Sequence, residues 1–304
     1  MVTLIDSDNL INRVFHVHQD LCTRNGIATG GIYGFLNSVF YMLKNKKDNE
    51  YLVFVWDTNA TRKKSIYPEY KAHRGTKNPL MIDQKVLVQQ MLSILDMQQV
   101  AVEHEEADDV ISTLVHKCRK IGHKVVIYSR DHDFEQLITN SVSVLCPDSG
   151  FKYTLKDVDW VLKNRGVHPT KLKEIMLLMG DRASDNVAGV EGFGIVSASK
   201  MIKANGDVAT IMNDIPNSKT FNRKGELVKI SSTIAKKIEK GREQVELNKQ
   251  LVVLDDRVKF PFTLKTDWNP KWTMFNMLLQ GYECYKLINK YKFFQYGDYE
   301  PDNL

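Results

Sequence analysis

Apolar and β-branched residues gather in short runs that each end on acid, with longer amphipathic stretches between them. Val2-Thr3-Leu4-Ile5 is the first run and ends on Asp6. Tyr51-Leu52-Val53-Phe54-Val55-Trp56 is continuously apolar, as in a strand covered on both faces, and ends on Asp57. Val100-Ala101-Val102 is the third, followed shortly by Glu105-Glu106-Ala107-Asp108-Asp109. Val125-Val126-Ile127-Tyr128-Ser129 is the fourth, and Asp131-His132-Asp133 comes next. Residues 34–43, 84–95 and 110–121 have the length for helices, so the pattern predicts an α/β fold with alternating elements around a mostly parallel sheet. Further on, a helix starting near Pro169-Thr170, another over Ser197–Ile202 and an amphipathic one over Ile234–Lys240 predict a second, helical region.

At 304 residues and 43% hydrophobic content the chain can bury a large core and form two domains. No apolar run approaches a membrane span, and Met1-Val2-Thr3-Leu4 enters a strand directly, so a soluble protein without a leader is expected. Cys22, Cys118, Cys146 and Cys284 lie far apart, which suggests neither a disulfide framework nor a zinc knuckle and implies a reducing, cytosolic compartment. The net charge of +5 is modest; its distribution says more.

In a parallel sheet, ligands bind outside the carboxyl ends of the strands. One strand-terminal Asp is ordinarily a helix cap, and an acidic helix start is favoured by the macrodipole. Here all four runs deliver acid to that edge: Asp6, Asp57, Glu106, Asp108, Asp109, Asp131 and Asp133. Glu106 and Asp109 share a helix face at i, i+3. Crowded carboxylates raise one another's pKa and need a positive partner. All-oxygen donors point to Mg²⁺ or Mn²⁺ over zinc, and carboxylate cages holding two ions about 3.5–4 Å apart are common machinery for phosphodiester hydrolysis. His132 reads as a solvated side chain.

From Arg62 to Lys85 there are seven Lys or Arg against two acids, with Tyr67 and Tyr70 interleaved. Basic side chains neutralise phosphates and an aromatic can stack an unpaired base, so the stretch suits a single-stranded nucleic acid. Lys219 to Arg242 is a second basic stretch, with eight Lys or Arg and two acids, readable as a duplex contact or as a solvated face. Glycines at 189, 192 and 194 ahead of the Ser197 helix permit close backbone approach to a phosphate.

These motifs together resemble the 5′ nuclease family: flap endonucleases and 5′ to 3′ exonucleases of phages and bacteria, and the N-terminal nuclease domain of bacterial DNA polymerase I. Asp6 with Arg13, Ala28-Thr29-Gly30 with Gly34-Phe35, Asp57 before Tyr70-Lys71-x-x-Arg74, Glu106-Ala107-Asp108-Asp109-Val110-Ile111 and Asp131-x-Asp133 occur in the family's order. Leu177-Leu178-Met179-Gly180-Asp181 with Asp185 resembles the acid pair for a second ion, Gly189-Val190-Glu191-Gly192-Phe193-Gly194 the turn of a helix-hairpin-helix, and Leu251-Val252-Val253-Leu254-Asp255 a closing motif. The chain departs from the pattern in three places. One residue more than usual separates Asp181 from Asp185, Val196 stands where the hairpin usually has Lys, and Lys63 stands where many relatives have Arg.

The resemblance implies a PIN-like, resolvase-like α/β nuclease domain over 1–168 with a basic arch at about 60–95. A helical DNA-binding domain follows over 169–304, with its helix-hairpin-helix (helix-three-turn-helix) at about 180–205. It implies two or more Mg²⁺ or Mn²⁺ ions on Asp6, Asp57, Glu106, Asp108, Asp109, Asp131, Asp133, Asp181 and Asp185, and K⁺ at the hairpin. Lys71 and Arg74 would neutralise the scissile region, Tyr70 would stack or orient the terminal base, and Arg13 and Lys63 would contact phosphate. Gly189, Gly192, Gly194, Ser197 and Lys200 would grip the duplex. The implied enzyme is a monomeric, cytoplasmic 5′ to 3′ exonuclease and flap endonuclease on its own chain, acting on 5′ flaps, 5′ ends and junctions of DNA or on RNA–DNA hybrid. A replicative polymerase or single-strand-binding protein fits as partner. The alternatives are a PIN-like ribonuclease and a non-catalytic junction-binding module. Trp268, Trp272, Phe275, Tyr282, Tyr285, Tyr291, Phe293 and Phe294 are expected to pack a C-terminal helical subdomain, and 297–304 to fray.

Overall fold

The computed structural model describes residues 1–47, 49–58, 61–76, 78–148, 152–292 and 294. The chain divides into two compact units: Met1–Asp57 with Thr76–Ala101 and Phe260–Leu304, and Thr58–Gly75 with Val102–Lys259.

The first unit is built from β1 (Val2–Asp6), α1 (Ser7–Val17), α2 (Gly30–Lys44), β2 (Tyr51–Trp56), α4 (Pro79–Ile94) and β3 (Gln98–Ala101), completed by α12 (Trp272–Gly281) and α13 (Tyr285–Tyr291). β2 pairs in parallel with β1 (Leu4 opposite Val53) and with β3 (Val55 opposite Val100). Every residue of β1 is buried, which is why the run reads as apolar without alternation. α1 starts at once because the Asp6 carboxylate accepts the Asn9 N–H at 3.1 Å, and its Leu10, Ile11, Val14 and Phe15 form one buried stripe. α4 opens on Pro79 with the Asn78 side chain accepting the Leu80 N–H. Phe35 of α2 stacks on Trp56 of β2 with ring centres 5.6 Å apart. The C-terminal aromatics pack into this unit: Tyr291 stacks on Phe40 of α2 at 4.3 Å, and Phe275 meets Phe40 edge-on. Trp268 and Tyr285 stay about half exposed. Phe293 and residues 297–304 lie outside the described residues.

The second unit contains α3 (Arg62–Ile66), α5 (Ala107–Lys120), β4 (Val125–Tyr128), β5 (Val142–Pro147), β6 (Tyr153–Lys156) and α6 (Val158–Arg165). The helical run α7 (Leu172–Met179), α8 (Ile195–Asn205), α9 (Val208–Asn213), α10 (Ser232–Lys240) and α11 (Arg242–Leu251) follows, with a small hairpin of β7 (Lys219–Phe221) and β8 (Leu227–Lys229) between α9 and α10. β4 and β5 are parallel (Ile127 opposite Val144), and β6 adds antiparallel to β5. α5 buries Val110, Ile111, Leu114, Val115 and Cys118. α11 is tied to α7 by Asn248, fully buried, whose side chain donates to the Leu177 carbonyl at 2.9 Å and accepts from Gln244. Among the described residues no helix is long and apolar enough to cross a membrane.

The segment after α7 folds back on it backbone to backbone. Asp181 and Val187 exchange N–H···O=C bonds of 2.9 and 3.0 Å, and the Val190 N–H donates to the Leu178 carbonyl. A Cβ on Gly189 would lie 2.1 Å from the Met179 carbonyl oxygen, so only glycine fits without moving main chain. Gly189→Ala is therefore expected to destabilise the fold by about 1–3 kcal/mol, read as a lower urea midpoint at unchanged slope. An unchanged midpoint would show that the two backbones are not in contact in solution.

Candidate metal centre

The loop after β4 bends because the Asp131 carboxylate accepts the Asp133 N–H at 2.8 Å, starting a 3-10 turn over Asp133–Leu137. That bend sends Asp133 toward the loop after α7. There, Asp181 is followed by three residues before Asp185. The extra residue is taken up in a turn, with the Asp185 N–H on the Asp181 carbonyl (3.1 Å) and the Ser184 N–H on Asp181 Oδ1 (3.0 Å). Asp185 thus returns to the group despite its unusual spacing. Among the described residues, Asp133, Asp181 and Asp185 each offer a carboxylate oxygen within 4.8 Å of the others. Burial first, then the charges of Asp131, Asp181 and Asp185, pushes the Asp133 carboxyl up to about 8. Burial likewise raises Asp185.

Glu106 and Asp109 behave differently. They do share a face at the start of α5, and that face meets Lys63: Nζ lies 3.0 Å from Glu106 Oε2 and 3.1 Å from Asp109 Oδ2. Lys71 Nζ lies 2.6 Å from Glu106 Oε1 and 3.6 Å from Asp185 Oδ1. Burial alone would raise Glu106, but Lys63 and Lys71 overcome it and hold it down at about 2. Lys63 and Lys71 are raised in turn, the acids outweighing the burial that opposes their charge. Tyr70 Oη sits 2.8 Å from Glu106 Oε2 and 2.9 Å from Asp185 Oδ2. A phenol has one proton to donate, so Glu106 and Asp185 compete for it.

The structure corrects two sequence-based roles and narrows a third. Tyr70 is 2% exposed and packs with Met176, Val187, Leu251 and Val252, so its ring has no face for a base. Lys63 is spent on two acids within the unit and does not reach outward as a phosphate contact. Asp109 is fully buried, with Oδ1 on the Asp255 N–H at 2.9 Å and Oδ2 on Arg62 at 2.7 Å, which commits it to holding the closing motif. Asp108, in the first turn of α5, is half-buried. Arg74 is half exposed and donates to Asp185 Oδ1 and to the Ser184 carbonyl. Lys71 sits at φ +55° with its N–H on the Asp185 carbonyl, a strained conformation that aims its amine at Glu106.

In the first unit, Asp6 ends β1, Asp57 directly follows β2, and half-buried Arg13 lies on α1. Asp57 is fixed by two residues the sequence did not single out. Asp8 accepts the Asp57 N–H at 2.8 Å, and Lys85 donates to Asp8 and to the Asp57 carbonyl. At the hairpin, Ser197 Oγ accepts the Gly194 N–H at 3.0 Å and closes the turn into α8, while Lys200 reaches the Asn222 carbonyl at 3.5 Å. Gly189 is the backbone contact described above, not an opening. A Cβ on Gly194 would meet nothing within 4 Å, and one on Gly192 only the Lys237 amine. Arg62, Glu105 and Glu135 also join ion pairs unmarked by any local spacing.

Three hard oxygen donors from two loops, one raised to about 8 by burial and by its acidic neighbours, fit a divalent cation. Residues 1–166 match the family described as 5'-3' exonuclease, N-terminal resolvase-like domain, and 167–272 the one described as 5'-3' exonuclease, C-terminal SAM fold. A 5'-3' exonuclease of Aquifex aeolicus is 34% identical over 213 residues, 69% of this chain and 72% of that protein. DNA polymerase I of Caldicellulosiruptor bescii is 30% identical over 287 residues; the match takes in 92% of this chain and 32% of the polymerase, about a third of its length. A bacteriophage T5 flap endonuclease solved with DNA and metal ions matches with a TM-score of 0.62 at 18% identity, covering 83% of this chain and 89% of that one. The catalytic core of Rad2 with DNA substrate gives 0.59 at 16%, covering 95% and 91%. At such identities the likeness is one of fold, and the fold is the expected one: a mostly parallel sheet flanked by helices, then a helical domain. With both of its domains matched in sequence, the chain belongs to the 5'-3' exonuclease family.

Proposed function

We propose that the protein is a structure-specific 5′ nuclease, a 5′ to 3′ exonuclease and flap endonuclease of DNA replication and repair that leaves 5′-phosphorylated products. The observation that carries the proposal is the convergence of Asp133, Asp181 and Asp185 within 4.8 Å. Mg²⁺ or Mn²⁺ suits these donors, and the bound ions supply Lewis-acid activation of water and neutralisation of the phosphodiester's charge. Asp133, Asp181 and Asp185 would hold the ion. Asp131 shapes the loop and adds charge, and Asp108 and Glu106 stand as ligands through water. Asp6 and Asp57 are assigned to ion binding by their motifs. Asp109 keeps a supporting role.

Lys71, shared by Glu106 and Asp185, and half-exposed Arg74 are the cations placed to meet the scissile phosphate as carboxylates turn to the ions. The substrate is DNA with a 5′ flap, a 5′ end or a junction, in keeping with the DNA carried by the T5 and Rad2 structures, and RNA–DNA hybrid is a second substrate of the same site. Residues 1–168 carry the nuclease domain with the arch near 60–95, and the DNA-binding region runs from 169 with a K⁺-holding hairpin at 180–205, but stops short of 260–304, which pack in the first unit. The protein acts as a cytoplasmic monomer alongside a polymerase or single-strand-binding protein.

Asp133→Asn should cut a labelled 5′-flap duplex roughly a hundredfold more slowly or worse while binding the duplex as wild type does in fluorescence anisotropy, and EDTA should abolish wild-type cleavage. Wild-type speed in the variant would remove Asp133 from the site. Lys71→Ala should lower kcat far more than it raises the duplex Kd; equal losses would reduce this lysine to a general electrostatic contact. The ion must displace the proton that Asp133 holds below about 8. Mn²⁺ affinity by calorimetry should therefore climb from about pH 6 to about pH 8 and then level off, with proton release shown by comparing buffers of different ionisation enthalpy. The sign for stability is opposite. A raised carboxyl means that the ion-free fold holds more protons than the unfolded chain between the ordinary Asp value and about 8, so its stability falls as pH rises through that window. A pH-independent Mn²⁺ isotherm would contradict both.

A further inference from the structure

Two residues beyond Asp133, in the same 3-10 turn, Glu135 is buried, 2% exposed, and turned into a cluster of cations. Arg165, at the end of α6, forks it, with Nε 2.6 Å from Oε2 and Nη2 2.8 Å from Oε1. Lys156, at the end of β6 and itself buried, places Nζ 2.8 Å from Oε1. Trp160 of α6 lies under both cations, its ring centre 4.9 Å from Lys156 Nζ and 5.7 Å from the Arg165 guanidinium carbon. Exposed His132 lies against the rim, with Nδ1 3.1 Å from Glu135 Oε1. A bidentate, largely desolvated pair of this kind fixes orientation as well as adding attraction.

The turn needs such an anchor. Asp131, Asp133, Asp181 and Asp185 repel one another, and Glu135 ties the turn that bears Asp133 to α6 and β6. We infer that Glu135, gripped by Arg165 and Lys156, is a positioning residue that holds the Asp133 turn facing Asp181 and Asp185 before any ion arrives. The clamp bears no ion and touches no substrate. Its effect is to spare the ion the work of gathering carboxylates that would otherwise spread apart, which raises ion affinity through preorganisation. The inference rests on the reading of Asp133 as a metal ligand.

The test is Mn²⁺ binding to the full chain by calorimetry and by loss of the free-Mn²⁺ resonance signal, with thermal unfolding in EDTA alongside. Glu135→Gln removes the charge and keeps the shape; it should weaken Mn²⁺ binding by about tenfold to a hundredfold and move the Mn²⁺ dependence of flap cleavage to higher concentration by the same factor. Arg165→Lys keeps a point charge and loses the fork, so it should give a smaller shift in the same direction. It also serves as the reading should Glu135→Gln fail to fold. Variants that melt earlier and bind Mn²⁺ as tightly as wild type would make Glu135 a stabilising residue only and overturn the clamp. Wild-type protein that binds no Mn²⁺ would instead overturn the metal site itself, so the two failures are distinguishable.

Discussion

Repulsion among buried carboxylates is the constraint on which the second unit depends. The sequence loads the ends of β4, α5 and α7 with acids, and the fold treats them in two ways. Glu106 and Asp109 are neutralised from within by Lys63, Lys71 and Arg62, at distances of 2.6 to 3.1 Å. Of Asp133, Asp181 and Asp185 only Asp185 meets such cations among the described residues, Lys71 and Arg74, and burial together with the neighbouring acids raises Asp133 and Asp185. Replacing water by protein around a carboxylate costs several kcal/mol unless a counter-charge restores it. Glu106 and Asp109 carry their counter-charge in the chain, and in the proposed site Asp133 and Asp181 are left to take theirs from an ion.

Lys71 joins the two groups. Its amine is 2.6 Å from Glu106 and 3.6 Å from Asp185, and its φ of +55° keeps the main chain on the Asp185 carbonyl. Asn186, also at positive φ, returns the contact through its side chain to the Glu69 carbonyl at 2.9 Å. Two strained residues facing each other across the loops imply that packing elsewhere over-determines this geometry, and the buried Tyr70 cluster supplies that packing. The aromatic that looked like a base-stacking platform is the pivot on which the basic segment rests.

Much of this was legible in the chain. Strands buried on both faces announce themselves as unbroken apolar runs, so β1 and β2 were read nearly to the residue, and acids directly after such runs mark the functional edge. The destinations of the cations were not legible. A basic stretch reveals its charge but not its partner, and Lys63 finds Asp109, and Tyr70 finds Val187 and Leu251, only through the tertiary fold. β5 and β6 escaped for a related reason. β5 is as long as β2, but Ser143 breaks its apolar run and only Val142, Val144 and Pro147 are buried, while β6 is short and, with Tyr153 and Thr154 half-buried and Leu155 exposed, carries neither a continuous apolar run nor a clear alternation. Glu135 had no local signature because Lys156 and Arg165 lie 21 and 30 residues further along the chain.

The hairpin turn shows how the same physics sorts residues that look equivalent in sequence. Gly189, Gly192 and Gly194 all read as places for a backbone to approach phosphate. The first is consumed by main chain, since its missing Cβ is the space taken by the Met179 carbonyl. Gly194 opens onto empty space, and its N–H is already satisfied by Ser197 Oγ, so Ser197 serves the turn into α8. The side chains between them, Ile195 and Val196, are about half and two-thirds exposed and contribute shape without charge. Charge comes from Lys237, beside Gly192 and paired with Glu191 at 2.9 Å. Glu191 is itself mostly exposed, and an exposed pair of that kind is worth little and is easily traded for a phosphate. Lys237, from α10, is thus the cation beside the hairpin turn, where α8 carries Val196.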